Sequence, residues 1–142
     1  MKYLFDTNVL IAALRSRRGA SHALIRMALQ GKLPIVMHYK LLTEYRDVLG
    51  RAETINALAF SWEDIEKILA RMVAEAEDVR VDYLWRPNLK DEGDNFIMEI
   101  AVAAPPCTIV THNVRDFIAG ELRFHEVWIK TPQQILVELI PH

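Results

Sequence analysis

The chain has 142 residues, of which 51% are hydrophobic and 25% charged, with a formal net charge of −2. That length supports one core and is too short for two, so residues 1–142 are read as a single domain, and the composition excludes a disordered chain. The mild negative balance excludes a protein that grips nucleic acid by bulk charge, although committing four acids to metal would leave the remainder at +2. A single cysteine, Cys107, excludes an internal disulfide and an all-cysteine metal site, and fits a cytoplasmic protein. The longest apolar stretch, residues 96–110, is broken by Glu99 and by Pro105-Pro106 and falls short of the ~20 residues a membrane span needs. Asp6 and Asn8 interrupt the apolar N-terminus in the same way, so it is expected to be folded structure rather than a leader.

Residues 2–5 read as a strand buried on both faces and ending at Asp6. A helix through Val9, Leu10, Ile11, Ala13 and Leu14 follows and stops near residues 16–19, and a second covers residues 20–29. Residues 34–37 read as a short strand, and residues 38–49 as a helix with an apolar stripe of Leu41, Leu42, Tyr45, Val48 and Leu49. Ser61, followed by Glu63 and Asp64, caps a helix running to about residue 77, and residues 79–81 read as an edge strand. A helix over residues 93–104, strands over 108–110 and 126–129, and a terminal helix opened by Thr131-Pro132 complete the chain. Strands alternating with helical periods predict an α/β fold with a mainly parallel sheet of four or five strands and six or seven helices.

In open parallel sheets, sites form at the carboxyl ends of strands. Asp6 ends the first strand, Asp116 lies in the loop after residues 108–110, and Asp94 opens the helix before that strand. Glu44 sits inside the helix after the second strand. At about 100° per residue it falls roughly 90° from the centre of the apolar stripe, on the border of the buried face, whereas Asp47 falls about 150° away in solvent. Carboxylates from separate elements suit Mg²⁺ or Mn²⁺, hard cations that activate a bound water and offset phosphate charge. No histidine or cysteine cluster of the kind zinc favours is present. Each acid also has a plainer role. Asp6-Thr7-Asn8 has the form of a helix cap, Asp94 that of a first-turn acid, Glu44 that of a solvated helix acid and Asp116 that of a loop acid. Their common position on one sheet edge is what joins them.

Arg15, Arg17 and Arg18 follow the first helix, and Arg115 stands beside Asp116. All four suit phosphate contacts to RNA, and the first three equally suit cations answering a helix dipole. The helix from residue 62 carries apolar Ile65, Ile68, Leu69, Met72 and Val73, with surplus apolar surface at Trp62 and Met72 for a partner chain. No stacking platform for single-stranded bases is evident.

Four segments carry a resemblance. They are Phe5-Asp6-Thr7-Asn8-Val9-Leu10, Leu42-Thr43-Glu44-Tyr45, Asp91-Glu92-Gly93-Asp94-Asn95-Phe96 with Glu99-Ile100-Ala101, and Ile109-Val110-Thr111-His112-Asn113-Val114-Arg115-Asp116-Phe117. With them the chain resembles the PIN-domain ribonucleases, particularly the VapC-like toxins of toxin–antitoxin pairs, over nearly its whole length. The resemblance implies a three-layer α/β/α PIN-like fold and metal-dependent cleavage of RNA. It implies that Asp6, Glu44, Asp94 and Asp116 are the catalytic acids that hold Mg²⁺ or Mn²⁺. Thr7, Asn8, Thr111 and Asn113 would orient those carboxylates or hold a metal water. It also implies a homodimer and an antitoxin partner whose peptide covers the cleft. Close members carry a proline and an aspartate where Glu92 and Gly93 stand, which keeps Asp91 as an alternative contributor. Asn113 is likewise an alternative to Asp116 in the fourth position. A non-catalytic PIN-like module binding RNA or protein is the second reading. A phosphatase of the haloacid dehalogenase type would need an aspartate where Asn8 stands.

Overall fold

The computed structural model describes residues 1–81, 92–118 and 126–140, with residues 92–95 as backbone alone. Strand β1 (Lys2–Phe5) buries Tyr3, Leu4 and Phe5 in succession, as a strand covered on both faces must. Helix α1 (Thr7–Arg15) turns Val9, Leu10, Ala13 and Leu14 inward on one stripe. Helix α2 (Ala20–Leu29) packs on α1 and buries Leu24, Ile25 and Ala28. Strand β2 (Val36–Met37), helix α3 (Tyr39–Leu49), the short α4 (Ala52–Ile55), α5 (Trp62–Glu75) and strand β3 (Glu77–Asp78) follow. Helix α6 (Glu92–Ala103), β4 (Cys107–Val110), α7 (Val114–Ile118), β5 (Val127–Lys130) and α8 (Pro132–Leu139) complete the described elements.

The fold is α/β, and every described strand pair is parallel. The central sheet has three strands in the order β1-β4-β5, fewer than the four or five expected. Strands β2 and β3 form a separate pair, joined to β1 by a bridge between Tyr3 and Ile35 and a hydrogen bond of 2.9 Å from Tyr3 N to Pro34 O. Each strand of that pair is only two residues long, too short to complete a full ladder with the sheet.

Four expectations are corrected. The edge strand is Glu77–Asp78 rather than residues 79–81. Its side chains are exposed, and Glu77 pairs with Lys2 at 3.0 Å, so charge rather than apolar character marks it. Asp116 sits in the first turn of α7 rather than in a loop. Helix α4 brings the described helices to eight; it buries no residue, so it leaves no periodic signal in the sequence. Met72 is 1% exposed and belongs to the core, not to surplus surface.

Continuing the ladder registers by one residue, and the Tyr3–Ile35 bridge by three, brings Val79, His38, Asp6, Thr111 and Thr131 to one level along the carboxyl edge. Three of these cap helices. Asp6 accepts from Thr7 N at 2.9 Å, His38 Nδ1 from Lys40 N at 3.1 Å, and Thr131 forms a capping box with Gln134. Several helix N-termini therefore open where the strands end, placing unpaired N–H groups and positive dipole ends along one edge. Among the described residues, no helix is long and apolar enough to cross a membrane.

Candidate active site

Asp6 is 8% exposed, and its position is fixed on three sides. Its backbone N–H donates to Val110 O at 2.9 Å, extending the β1–β4 ladder by one bond. Oδ1 accepts from Thr7 N, and Oδ2 accepts from Thr111 Oγ1 at 2.7 Å. Thr111 is fully buried, and its hydroxyl also accepts from Asn113 N at 3.0 Å, a local turn that holds the start of the β4–α7 connection. Two further contacts tie that connection down. His112 N donates to Asn8 Oδ1 at 3.4 Å, and the His112 ring pairs through Nε2 with Ser21 Oγ at 3.2 Å.

Glu44 reaches the same place from α3. Thr7 Oγ1 donates to Glu44 Oε2 at 3.0 Å across a sequence separation of 37, so the backbone of Thr7 serves Asp6 and its hydroxyl serves Glu44. The partly buried border position expected of Glu44 is where it lies, and Asp47 is exposed beside Arg51.

Tyr45 is a residue whose part the sequence did not disclose. Placed in the apolar stripe, it is 1% exposed and its hydroxyl donates to the carbonyl of Phe5, one residue before Asp6. Burial pushes its phenol well above the usual tyrosine range, and the charges of Asp6 and then Glu44 push it further. Tyr45 is therefore a neutral donor throughout the ordinary pH range. The available signal was a tyrosine in the middle of a buried stripe, since a buried phenol needs a partner. Glu99, which breaks an apolar run in the sequence and stands in the third of the segments that carry the resemblance, is a buried carboxylate on α6. His38, one strand away from Asp6, is held below the usual histidine range by burial; Asp78 opposes that shift and Lys40 adds to it.

The other predicted residues are less gathered. Asp94 lies on α6, with its side chain outside the described atoms, and Asp91 lies outside the described residues. Asp116 and Arg115 are exposed on α7, which packs against α6. Arg15 ends α1, at ~1.5 Å per residue about 13 Å along the helix from Asp6. Arg17 rests its guanidinium 4.6 Å above the ring of Phe60, and Arg18 N donates to Ser16 Oγ at 3.2 Å. Among the described residues, no three histidine, cysteine, aspartate or glutamate side chains come together as a metal cage. The described donors at Asp6 and Glu44 are nonetheless all carboxylate oxygens, which fit a hard divalent cation.

These features define an α/β protein with an acidic site at the carboxyl edge of a parallel sheet. The family model described as "PIN domain" matches residues 2–115, and the chain belongs to the PIN domain family. PIN domains are generally nucleases. The match contains Asp6, Glu44 and Asp94 and stops one residue short of Asp116. The chain is also similar to one in the crystal structure of VapBC2 from Rickettsia felis bound to a DNA fragment from their promoter. The TM-score is 0.60 at 14% identity, covering 92% of this chain and 98% of that one. At that identity the likeness is one of fold. No curated protein is similar enough to this chain to count as a match.

Proposed function

We propose that this protein is a metal-dependent endoribonuclease that hydrolyses phosphodiester bonds in RNA, and that it is the toxin of a toxin–antitoxin pair. The observation that carries the reading is the joint seating of Asp6 and Glu44, from separate elements, on Thr7 at a strand exit. In this reading Asp6, Glu44, Asp94 and Asp116 are the catalytic acids and hold Mg²⁺ or Mn²⁺, with Asp91 a further contributor. The bound cation supplies a water of lowered pKa and offsets charge on the phosphate. Thr7 and Thr111 orient the two described carboxylates, while Asn8 and Asn113 hold the β4–α7 connection beside them.

Arg115 stands next to Asp116 and takes a substrate phosphate. Arg15, Arg17 and Arg18 extend the contact further along the RNA, with Arg17 fixed in orientation by Phe60. The likeness in fold to VapBC2 supports an antitoxin protein as partner. The same reading makes the protein a homodimer acting in the cytoplasm.

The test is cleavage of structured RNA by purified protein with Mg²⁺, with Mn²⁺ or with EDTA, alongside Asp6→Asn. Metal-dependent cleavage that falls at least a hundredfold in the variant is expected. Equal cleavage by Asp6→Asn overturns the assignment, and RNA binding without any cleavage leaves a PIN-like binding module instead.

A further inference from the structure

An aromatic cluster stands on the carboxyl edge beside the acids. His38 follows β2 directly, and the Tyr3–Ile35 bridge, three residues back on each segment, sets it level with Asp6 along the sheet edge. Its ring is fixed from three directions. Nδ1 accepts from Lys40 N, the ring of Phe96 meets it edge-on with centroids 5.3 Å apart, and Tyr39 stacks on it at 4.8 Å and 25°. His38 is 8% exposed, but Tyr39, which covers it, is 68% exposed. One face of Tyr39 is thus backed by a rigid ring, and the side chain otherwise stands in solvent.

The placement ties this plate to the acids. Tyr39 opens α3, and Glu44 lies five residues further on the same helix, about 7.5 Å along its axis and about 140° around it. Phe96 is two residues past Asp94 on α6. The plate therefore joins the two helices that bear these acids. A surface tyrosine serving only to shield a capping histidine would account for the stack. It does not account for an aromatic side chain this open, backed by a fixed ring and one strand from the acidic site.

We propose that Tyr39, backed by His38, is a stacking platform for an unpaired base of single-stranded RNA next to the cleavage position. The placement of that position rests on the nuclease reading, whereas stacking itself does not. Every base offers a π-face, so such a platform accepts single strands with little regard to sequence, while a paired base in a duplex has its faces already covered. Lys40, exposed and next in the chain, supplies a cation for the phosphate flanking the stacked base. Because the backing ring is held by Lys40 N and Phe96 independently of Tyr39, little ordering accompanies binding.

The test is fluorescence anisotropy of a short labelled single-stranded RNA with the full chain in EDTA, where binding is read without cleavage. Wild type, Tyr39→Ala and Tyr39→Phe are compared, with a duplex RNA and an abasic single strand as further ligands. Tyr39→Ala is expected to lose roughly tenfold in affinity for the single strand, from the usual range for one base–aromatic stack. Tyr39→Phe should stay within about twofold, and the loss should vanish on the duplex and on an RNA abasic at the stacked position. Affinity of Tyr39→Ala within about twofold of wild type overturns the platform, as does an equal loss on duplex and single strand. The two readings fail separately. Tyr39-dependent binding by a protein that cleaves nothing sinks the nuclease reading alone, and metal-dependent cleavage with an indifferent Tyr39 sinks the platform alone.

Discussion

Thr111→Val isolates the contact that fixes Asp6. Thr111 is fully buried, and valine reproduces its shape, so the substitution opens no cavity. What disappears is the 2.7 Å hydrogen bond to Asp6 Oδ2, together with an acceptor for Asn113 N. Asn113 is exposed, so its N–H finds water at little cost. Asp6 is 8% exposed, and its oxygen regains water only in part. A hydrogen bond to a charged acceptor contributes about 1.5–3 kcal/mol, and the burial of Asp6 places this one in the upper half, about 2–3 kcal/mol. For a domain of this size, at roughly 3–4 °C per kcal/mol, Tm falls about 6–12 °C. Urea unfolding followed by circular dichroism at pH 7 reads the first quantity and calorimetry the second, and Thr111→Ser should return most of both. Under the proposed function, Thr111→Val also weakens Mn²⁺ binding by about 10–100-fold in isothermal titration. A stability loss below about 0.5 kcal/mol would refute the reasoning, because it would mean that Asp6 Oδ2 recovers another donor on its own.

Tyr45→Phe removes only a hydroxyl and strands the buried carbonyl of Phe5, so it should cost about 1–3 kcal/mol in urea unfolding. A variant as stable as wild type would show that the carbonyl is satisfied without it. The histidine that caps α3 makes stability depend on pH in a definite direction. The folded-state pKa of His38 is lowered, so as pH falls the unfolded chain takes up the proton first. Its contribution is fully present above the unfolded value of about 6.5 and is lost as pH falls from there through the folded value. His38→Asn keeps a side-chain acceptor for the cap and removes the titration, so its urea midpoint should drop less than that of wild type between pH 7.5 and 5.5. Parallel drops in the two proteins would count against the assignment.

The sequence is most legible where burial is one-sided and long enough to repeat. The stripes of α1 and α3, the run of β1 and the Thr131-Pro132 opening of α8 all stand where periodicity and capping chemistry place them. Helix α7 is five residues long with one buried side chain, Phe117, and α4 buries none, so neither carries a period. Within the site, Glu44 was legible because a helix converts sequence spacing into an angle. Asp6 was legible as a cap and as a strand-end acid, and its Oδ1 contact to Thr7 N shows the cap. The hydroxyls of Tyr45 and Thr111 and the pairing of Ser21 with His112 were not legible. Their partners lie 40, 105 and 91 residues away, and no local pattern encodes a contact of that kind. The stack of Tyr39 on His38 shows the same limit at close range. Two adjacent aromatics say nothing about which face stays open until the strand exit and Phe96 fix the inner ring.

The partners that hold Asp6 and Glu44 also bear on what the site is for. Three of the donors to these two carboxylates, the N–H of Thr7 and the hydroxyls of Thr7 and Thr111, are neutral. A lysine or arginine in the same place would offset the repulsion between neighbouring acids and stabilise the empty fold more strongly. It would also cancel the negative charge and take up the lone pairs that a cation needs. These three donors fix the direction of each carboxylate without adding charge, and under the proposed function a bound ion would add stability by mass action. Asp6 therefore caps a helix with one oxygen and is aimed by a buried hydroxyl through the other, and both contacts preserve the charge on which the proposed chemistry depends.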